Sequence, residues 1–145
     1  MNSESSPTPK TVRDQSIGRM LTVLTNRMKS EMKIRLEPLN LTMNEFFVFM
    51  ITLNSPGLSQ AVLSEKIAQP AYATSRIINS LVGKNLLKRE NNPESRRTHR
   101  IVLTPEGHAL TPDIFDLIQS VNDWLLAPLN ADEKQAFSAN LAKLI

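Results

Sequence analysis

The sequence predicts a mainly α-helical domain that carries one small β-hairpin, an α+β fold. Apolar residues recur at helical spacing through most of the chain, with two long stripes near residues 11–36 and 105–145. Two short β-prone runs, LLKREN and THRIVLT, follow the central helices and are separated by residues 92–95 (NPES), whose side chains favour turns. The order of helices, strand, turn and strand therefore indicates a helical domain with a single hairpin.

Length and composition limit the class of protein further. With 145 residues, 41% of them hydrophobic, the chain can form one domain with a buried core. It has no cysteine, which excludes disulfides, thiolate metal sites and cysteine-based sensing, and fits a reducing cytoplasm. The two histidines, His99 and His108, do not make a metal site on their own, and no cofactor is predicted. No apolar run approaches the roughly 18 residues of a membrane span, so no membrane partner is expected.

The N-terminal part of the chain divides into a tail and a long helix. Residues 1–10 (MNSESSPTPK) are polar, lack the apolar core of a signal peptide, and are expected to form a disordered tail. The first helix is predicted from about Thr11 to Leu36, which makes it about 37 Å long at the usual rise per residue. Its apolar stripe comprises Ile17, Met20, Leu21, Leu24, Met28 and Met32. Such a helix is longer than a compact domain requires, so part of its stripe can pack against a partner chain.

The second helix has the best-specified start in the sequence. Thr42 and Glu45 have the spacing of a capping box, and Leu41 and Phe46 occupy the positions of a hydrophobic staple. Residues 54–57 (NSPG) are turn-forming and are expected to end this helix.

The third and fourth helices form a helix-turn-helix candidate. Ser59 is expected to cap a short helix that ends near Ala68, and a helical pattern follows from about Pro70 to Asn85. One face of the fourth helix is apolar and comprises Ile77, Ile78, Leu81 and Val82. The opposite face is polar and small enough to enter a groove. It comprises Tyr72, Ser75, Arg76, Asn79 and Gly83. Asn85 replaces the usual glycine where the backbone leaves a helix in a left-handed conformation.

Two helices are predicted after the hairpin. Thr104 is a helix cap and Pro105 takes the first helical position, whereas Pro112 is expected to bend this helix or shorten its first turns. The apolar stripe of this helix comprises Leu110, Ile114, Leu117, Ile118, Val121, Trp124 and Leu125. Asn130 and Glu133 form a second capping box. The last helix that they start is lined by Phe137, Leu141, Leu144 and Ile145.

The positive charge of the chain is concentrated around the hairpin. Residues 84–100 contain six basic and two acidic residues, a net charge of +4, whereas the whole chain is +3 and the remainder is therefore −1. A polar helix followed by a cationic hairpin suits a duplex-binding protein, because one element can contact base edges while the other neutralises phosphates. Charged hairpins are commonly just solvated surface. Here the order of the elements and the localised charge together favour DNA.

These motifs resemble the MarR family of dimeric winged-helix transcriptional regulators. The resemblance covers nearly the whole chain after the tail and rests on three segments: LSQAVLSEKI, TSRIINSLVGKNLLKR and NPESRRTHRIVLTPEG. In the last segment, the wing, the family pattern is matched by Arg97, Leu103, Thr104 and Gly107. The sequence departs from the family at three positions, with Ser95 in place of Asp, Asn85 in place of Gly, and Pro70 in place of a Ser cap.

The resemblance implies a winged helix-turn-helix fold with N- and C-terminal dimerisation helices. Residues 11–145 then form a single domain, with 11–36 and 105–145 in dimerisation helices and 42–104 in the winged-helix region. It also implies a homodimer that binds double-stranded DNA, with the fourth helix in the major groove and the wing on the minor groove or backbone. The implied function is sequence-specific transcriptional regulation, as a repressor or an activator, with a repressor favoured. A two-fold dimer also requires a pseudo-palindromic operator. Many members of the family lose DNA affinity on binding a small, often phenolic, ligand.

The candidate DNA-contacting residues lie on the fourth helix and the wing: Tyr72, Ala73, Ser75, Arg76, Asn79, Arg96, Arg97, His99 and Arg100. On the helix, Arg76 suits guanine and Asn79 suits adenine. On the wing, Arg97 lacks the carboxylate that the family's Asp would supply, so either Glu94 replaces it or the hairpin tip is looser. The alternative to DNA binding is a winged-helix module that binds an acidic protein. An enzyme is disfavoured, because no motif places a nucleophile beside a base.

Overall fold

The computed structural model describes residues 8–145 and confirms a mainly helical chain with one antiparallel hairpin. Its elements in order are α1 Pro9–Asp14, α2 Ile17–Leu36, α3 Met43–Asn54, α4 Gln60–Ile67, α5 Ala71–Gly83, β1 Leu87–Asn92, β2 Ser95–Leu103, α6 Pro105–Leu125 and α7 Ala131–Ala142. A short 3-10 helix, Glu37–Leu39, follows α2. Within the described range, no helix combines the length and apolar character needed to cross a membrane.

The N-terminal region differs from the sequence-based prediction. Most of the predicted tail, residues 1–10, lies outside the described residues, but Thr8 caps α1 and Pro9 is its first residue. The prediction of one helix from Thr11 to Leu36 is wrong, because Ser16 is extended (φ −63°, ψ 126°) and separates α1 from α2. Serine competes for backbone hydrogen bonds outside helices and favours the cap position, which accounts for the break.

The predicted start of α3 is confirmed. The Thr42 side chain accepts a hydrogen bond from the Glu45 N–H, and the Glu45 carboxylate accepts one from the Thr42 N–H at 2.8 Å. Leu41 and Phe46 are both buried, as a hydrophobic staple requires. The preceding residue, Asn40, takes up a left-handed conformation (φ 54°) that ends the 3-10 helix.

One apolar core joins α2 to α6 and fixes the position of α5. Ile78 and Leu81 of α5 are fully buried, and so are Phe49 of α3 and Leu63 of α4. The core cluster also contains Met32, Leu36, Leu87, Ile101, Ile114, Leu117 and Val121. Because truncating such a side chain costs about 2–5 kcal/mol, this packing holds one face of α5 inward and leaves the other outward.

The hairpin forms an antiparallel pair in which Leu87 lies opposite Leu103, and its register shifts at Asn91/Asn92. Strand β2 has a second neighbour, because Ile101 also forms a bridge with Leu58, just before α4. The Gly57 N–H donates to the Ile101 carbonyl, and the Ile101 N–H donates to the Leu58 carbonyl, both at 2.9 Å. The base of the wing is therefore attached to the helix-turn-helix by backbone hydrogen bonds.

The start of α6 is joined to the end of α5. Thr104 caps α6 by accepting from the Gly107 N–H, and its hydroxyl donates to the carbonyl of Asn85, the left-handed residue (φ 58°) that follows α5. The Thr104 N–H donates to the Leu86 carbonyl at 3.0 Å. A Cβ atom at Gly107 would collide with that same carbonyl oxygen, so the two segments touch through backbone at this position.

The C-terminal helices agree with the prediction at their starts and differ in detail. Helix α6 begins at Pro105 and continues through Pro112, so the predicted shortening of its first turns is wrong. The Asn130–Glu133 capping box is confirmed. Leu144 and Ile145 lie beyond α7 rather than on it, and α7 buries none of its residues within the single chain.

Candidate nucleic-acid interface

Helix α5 presents the predicted polar face to solvent. Tyr72, Arg76 and Asn79 are exposed, whereas Ala73 and Ser75 are half-buried at the edge of that face. The three exposed residues are separated by four and three positions, so they lie one above another along one side of the helix. With 71% of its surface exposed, Tyr72 is free to contact a partner.

The first turn of α5 is held by contacts from α4 and from within α5. The Gln60 side-chain amide donates to the Ala71 carbonyl at 3.3 Å. The buried Thr74 hydroxyl donates to the Pro70 carbonyl at 3.2 Å. Pro70 is the N-cap and has no side-chain acceptor to offer, so the first N–H groups of α5 carry no side-chain cap. Uncapped N–H groups at a helix start favour a nearby phosphate.

The wing presents Arg96, Arg97 and His99 on its exposed surface. Arg100, the fourth predicted wing residue, is half-buried, and its guanidinium occupies the space that a Cβ atom would need at Gly57. Gly57 has φ +87°, a conformation that also disfavours any side chain there. Arg100 is therefore partly engaged in packing the wing against the loop before α4.

The tip of the wing is organised by Asn92 and Ser95. The Asn92 side-chain oxygen Oδ1 accepts from the Glu94 N–H at 3.0 Å, and the side-chain nitrogen Nδ2 donates to the Thr98 hydroxyl at 3.1 Å. Ser95 accepts from the Arg97 N–H at 3.4 Å, so it contacts the backbone of Arg97 and not its guanidinium. Between residues 8 and 145 no carboxylate lies within ion-pair distance of Arg97, so Glu94 does not replace the family's Asp.

Arg89, which the candidate set omitted, connects the wing to the exposed face of α5. Its guanidinium Nη2 donates to the Asn79 side-chain oxygen at 2.7 Å. The alternation of side chains along β1 could have indicated this contact. Arg89 is two residues after the buried Leu87, so the two side chains lie on the same face of the strand, the face that is turned toward the helices. Arg89 also lines a cleft of about 240 Å³, between α4 and the wing, together with Arg97 and His99.

Lys84 belongs to a buried network at the end of α5 instead of to the exposed charge of the wing. Its ammonium donates to both carboxylate oxygens of Glu45, at 2.8 and 2.9 Å, and also to the Asn40 carbonyl. The Ser80 hydroxyl donates to the same carboxylate. Burial raises the pKa of Glu45, but hydrogen bonds from Lys84, Ser80 and the Thr42 N–H outweigh burial, so the pKa lies below its ordinary value.

This pairing revises the charge distribution expected from the sequence. Lys84 is neutralised by Glu45, and the Lys88 ammonium lies 3.1 Å from the Glu90 carboxylate. The cationic surface is therefore made mainly of arginines: Arg89, Arg96, Arg97 and Arg100. Arginine suits phosphates and guanine edges because its planar guanidinium can form two parallel hydrogen bonds.

Two further clefts lie away from this face. One, of about 520 Å³, is lined by Lys33, residues 37 and 40–44, and Lys84, between the end of α2 and the winged-helix region. The other, of about 610 Å³, lies between α2, α6 and α7 and is lined by apolar residues that include Leu21, Leu24 and Phe137. Across the described residues, no cluster of three His, Asp or Glu residues has a metal-binding arrangement.

Sequence comparison assigns the central part of this structure to a known family. The family described as MarR family matches residues 39–98, from the 3-10 helix through α5 to the wing. Residues 39–98 carry a MarR family domain. The MarR resemblance inferred from the helix and wing motifs is thereby confirmed.

Relatives of this MarR domain extend the match to most of the chain. The HTH-type transcriptional repressor Rv2887 of Mycobacterium tuberculosis is 28% identical over 131 residues, which cover 90% of this chain and 94% of that protein. The transcriptional regulator HosA of Escherichia coli is 23% identical over 106 residues, 73% of this chain and 78% of HosA. Both relatives are transcriptional regulators.

Solved structures share the MarR fold. Apo MarR from E. coli matches with a TM-score of 0.84 at 24% identity, over 90% of this chain and 96% of that one, which establishes the fold. Rv2887 in complex with DNA matches with a TM-score of 0.79 at 26% identity, over 90% and 98%. Rv2887 in complex with salicylic acid matches with a TM-score of 0.77 at 27% identity, over 91% and 98%.

Proposed function

We propose that this MarR family regulator is a homodimeric repressor that binds a pseudo-palindromic DNA operator, with a cytoplasmic location. One observation carries the proposal: the exposed polar face of α5 lies beside a wing whose free charge is mainly arginine. Such a pair of elements can contact base edges and phosphates of one duplex at the same time. The relative Rv2887, solved in complex with DNA, supports this use of the fold.

The candidate residues divide into two roles under this proposal. On α5, Arg76 donates two hydrogen bonds to guanine, while Tyr72, Ala73 and Ser75 contact the duplex around the first turn of the helix. On the wing, Arg96, Arg97 and His99 contact phosphates or the minor groove. Arg100 contributes less than its neighbours, because its guanidinium is packed on Gly57.

The helices at both ends of the chain supply the proposed dimer contacts. Helix α7 buries nothing within one chain, and the first half of α2 exposes Ile17, Met20, Leu21 and Val23. Apolar surface of this extent is characteristic of a protein interface. We therefore assign residues 11–36 and 105–145 to dimerisation and residues 42–104 to DNA binding. Light scattering at micromolar concentration should give a dimer, and a monomer would contradict the assignment.

We propose a small aromatic acid as the effector. The cleft of about 520 Å³ carries Lys33 beside the apolar Leu41 and Met43, so it can receive both a carboxylate and a ring. It lies between α2 and the winged-helix region, and the relative Rv2887 has been solved with salicylic acid. Salicylate should lower DNA affinity, and Lys33→Met should weaken that response. A DNA affinity that is unchanged at millimolar salicylate would refute this part of the proposal.

The central test is selection of duplexes from a random library by the purified protein. The proposal requires enrichment of an inverted repeat with half-sites about one helical turn apart. Arg76→Ala should lose that enrichment, whereas Lys10→Ala should retain it, because Lys10 is an exposed cation on α1 outside the segments assigned to dimerisation and DNA binding. The alternative, a module that binds an acidic protein, predicts no enrichment and equal weak binding to all duplexes.

A further inference from the structure

The hydrogen bond between Arg89 and Asn79 constrains how α5 can contact a base. Both side chains are exposed, so the bond forms on the surface that would face a duplex. Arg89 belongs to β1 and Asn79 to the third turn of α5, and Nη2 lies 2.7 Å from the Asn79 side-chain oxygen. Within residues 8–145, it is the one side-chain hydrogen bond between the wing and this face of α5.

The chemistry of the two groups fixes the orientation of the Asn79 amide. A guanidinium has only N–H donors, so the atom that faces Arg89 must be the amide oxygen. The amide nitrogen, with its two donors, is left for another partner. An asparagine that contacts adenine needs both ends of its amide, because the oxygen accepts from N6 and the nitrogen donates to N7. Here the oxygen is already engaged.

The positive charge of Arg89 also affects whether Asn79 contacts adenine or guanine. A guanidinium beside the amide disfavours the N6 amino donors of adenine and favours acceptor atoms. In the major groove, guanine presents two adjacent acceptors, N7 and O6. The Asn79 amide nitrogen and the remaining N–H groups of Arg89 together form a donor-only surface that complements this edge.

We propose that Arg89 is a positioning residue for base specificity: it holds Asn79 so that the pair contacts guanine in place of adenine. The inference rests on the proposed DNA-binding function and replaces the expectation that Asn79 alone selects adenine. Because Arg89 lies on the wing, the position of the wing then determines which base α5 selects. The base preference of α5 is accordingly a joint property of two elements.

The test is duplex selection with the full-length protein and four variants. Wild type should enrich guanine at one position of each half-site. Arg89→Met frees the Asn79 oxygen and should shift that position to adenine by about tenfold, within the range expected for one base contact. Arg89→Lys keeps one donor and should retain guanine. Asn79→Ala should lose the preference for guanine. The double variant Asn79→Ala/Arg89→Met should likewise show no base preference at that position.

Arg96→Met is the matched control, because it removes the same charge from the wing without touching Asn79. It should weaken binding to all duplexes and lower the salt dependence, and the preference at the position selected by Asn79 should remain unchanged. Thermal melts of each variant establish that the fold is retained.

The outcomes separate the inference from the function on which it rests. If wild type enriches no sequence, the proposed function fails and the inference fails with it. If wild type enriches an operator but Arg89→Met changes only affinity, the inference is overturned and the function stands. The inference is also overturned if wild type prefers adenine at the position whose base preference disappears in Asn79→Ala.

Discussion

Replacing Lys84 with methionine tests how the end of α5 is held. The substitution keeps the length of the side chain and removes the ammonium, which leaves the Glu45 carboxylate with the Ser80 hydroxyl and the Thr42 N–H. Glu45 is 4% exposed and the removed ammonium borders the cleft lined by Lys84 and Thr42, so water replaces the missing partner only in part. Removing one member of a buried ion pair typically costs about 3–5 kcal/mol. Two donors remain and the Lys84 side chain is 25% exposed, so we expect about 2–3 kcal/mol.

Glu45→Gln and the double variant make this estimate refutable. The Ser80 hydroxyl bonds to Glu45 Oε1 and the Thr42 N–H bonds to Oε2. In Glu45→Gln the amide oxygen can keep the Thr42 N–H while the amide nitrogen donates to the Ser80 hydroxyl. Because no buried carboxylate loses its partner, Glu45→Gln should cost less than Lys84→Met. The double variant buries no unpaired charge and should be more stable than Lys84→Met alone, which a double-mutant cycle measures. Urea unfolding at fixed protein concentration gives the free energies, provided that the m-values agree. A loss below about 0.5 kcal/mol in Lys84→Met would refute the reasoning, since ordinary surface substitutions fall in that range.

The same pair makes stability depend on pH in a defined direction. The pKa of Glu45 is lowered in the folded state, so its contribution is present above the unfolded pKa and is lost as pH falls through the folded pKa. Wild type should therefore lose stability as pH drops below about 4.3, the ordinary value for glutamate. In Lys84→Met, the pKa of Glu45 is lowered less, so the acid loss that comes from Glu45 should be smaller than in wild type. An identical acid dependence in wild type and Glu45→Gln would contradict the assignment.

Three further predictions concern DNA binding and are read from anisotropy titrations over a range of salt. Arg76→Ala should cost about 1–3 kcal/mol on the selected operator and relax one position per half-site; an equal loss on random DNA would make Arg76 a phosphate contact. Arg97→Ala should weaken all duplexes alike and reduce the salt slope by about one unit, and an unchanged slope would remove the wing from the interface. Ser95→Asp should slow hydrogen exchange at residues 92–97 and change affinity only modestly, because the added carboxylate orients Arg97 but also repels phosphates; unaltered exchange would show that residue 95 does not control the tip.

The helix starts were predictable because a cap is a local interaction. Thr42, Ser59, Thr104 and Asn130 each bond to a backbone N–H three residues away, so a short window of sequence contains the whole motif. The break at Ser16 was missed because residues 8–31 are almost entirely exposed or half-buried, so no burial pattern marks it.

The functional face was predictable from helical spacing, but its partners were not. Spacing identifies which residues of α5 face outward, since one side of the helix is apolar. It does not reveal that Asn79 bonds to Arg89 or that Glu45 bonds to Lys84, which lie 10 and 39 positions apart. Counting Lys84 among the free charges of the wing followed from the same limitation, because a sum of charges contains no information on pairing.

Because the backbone of Gly107 contacts the backbone of Leu86, a tilt of α6 would move the DNA-binding region of the proposed dimer. With 21 residues, α6 is about 30 Å long, so a tilt of about 5° about its far end displaces its first turn by nearly 3 Å. Asn85 and the end of α5 must move with that turn, because Thr104 is hydrogen-bonded to Asn85 and Gly107 lies against the Leu86 carbonyl. Two subunits tilting in opposite senses would change the distance between their α5 helices by about 5 Å, roughly one and a half base-pair steps, against half-sites about 34–36 Å apart. A tilt of about 5° is thus enough to misalign the proposed pair of α5 helices with its operator.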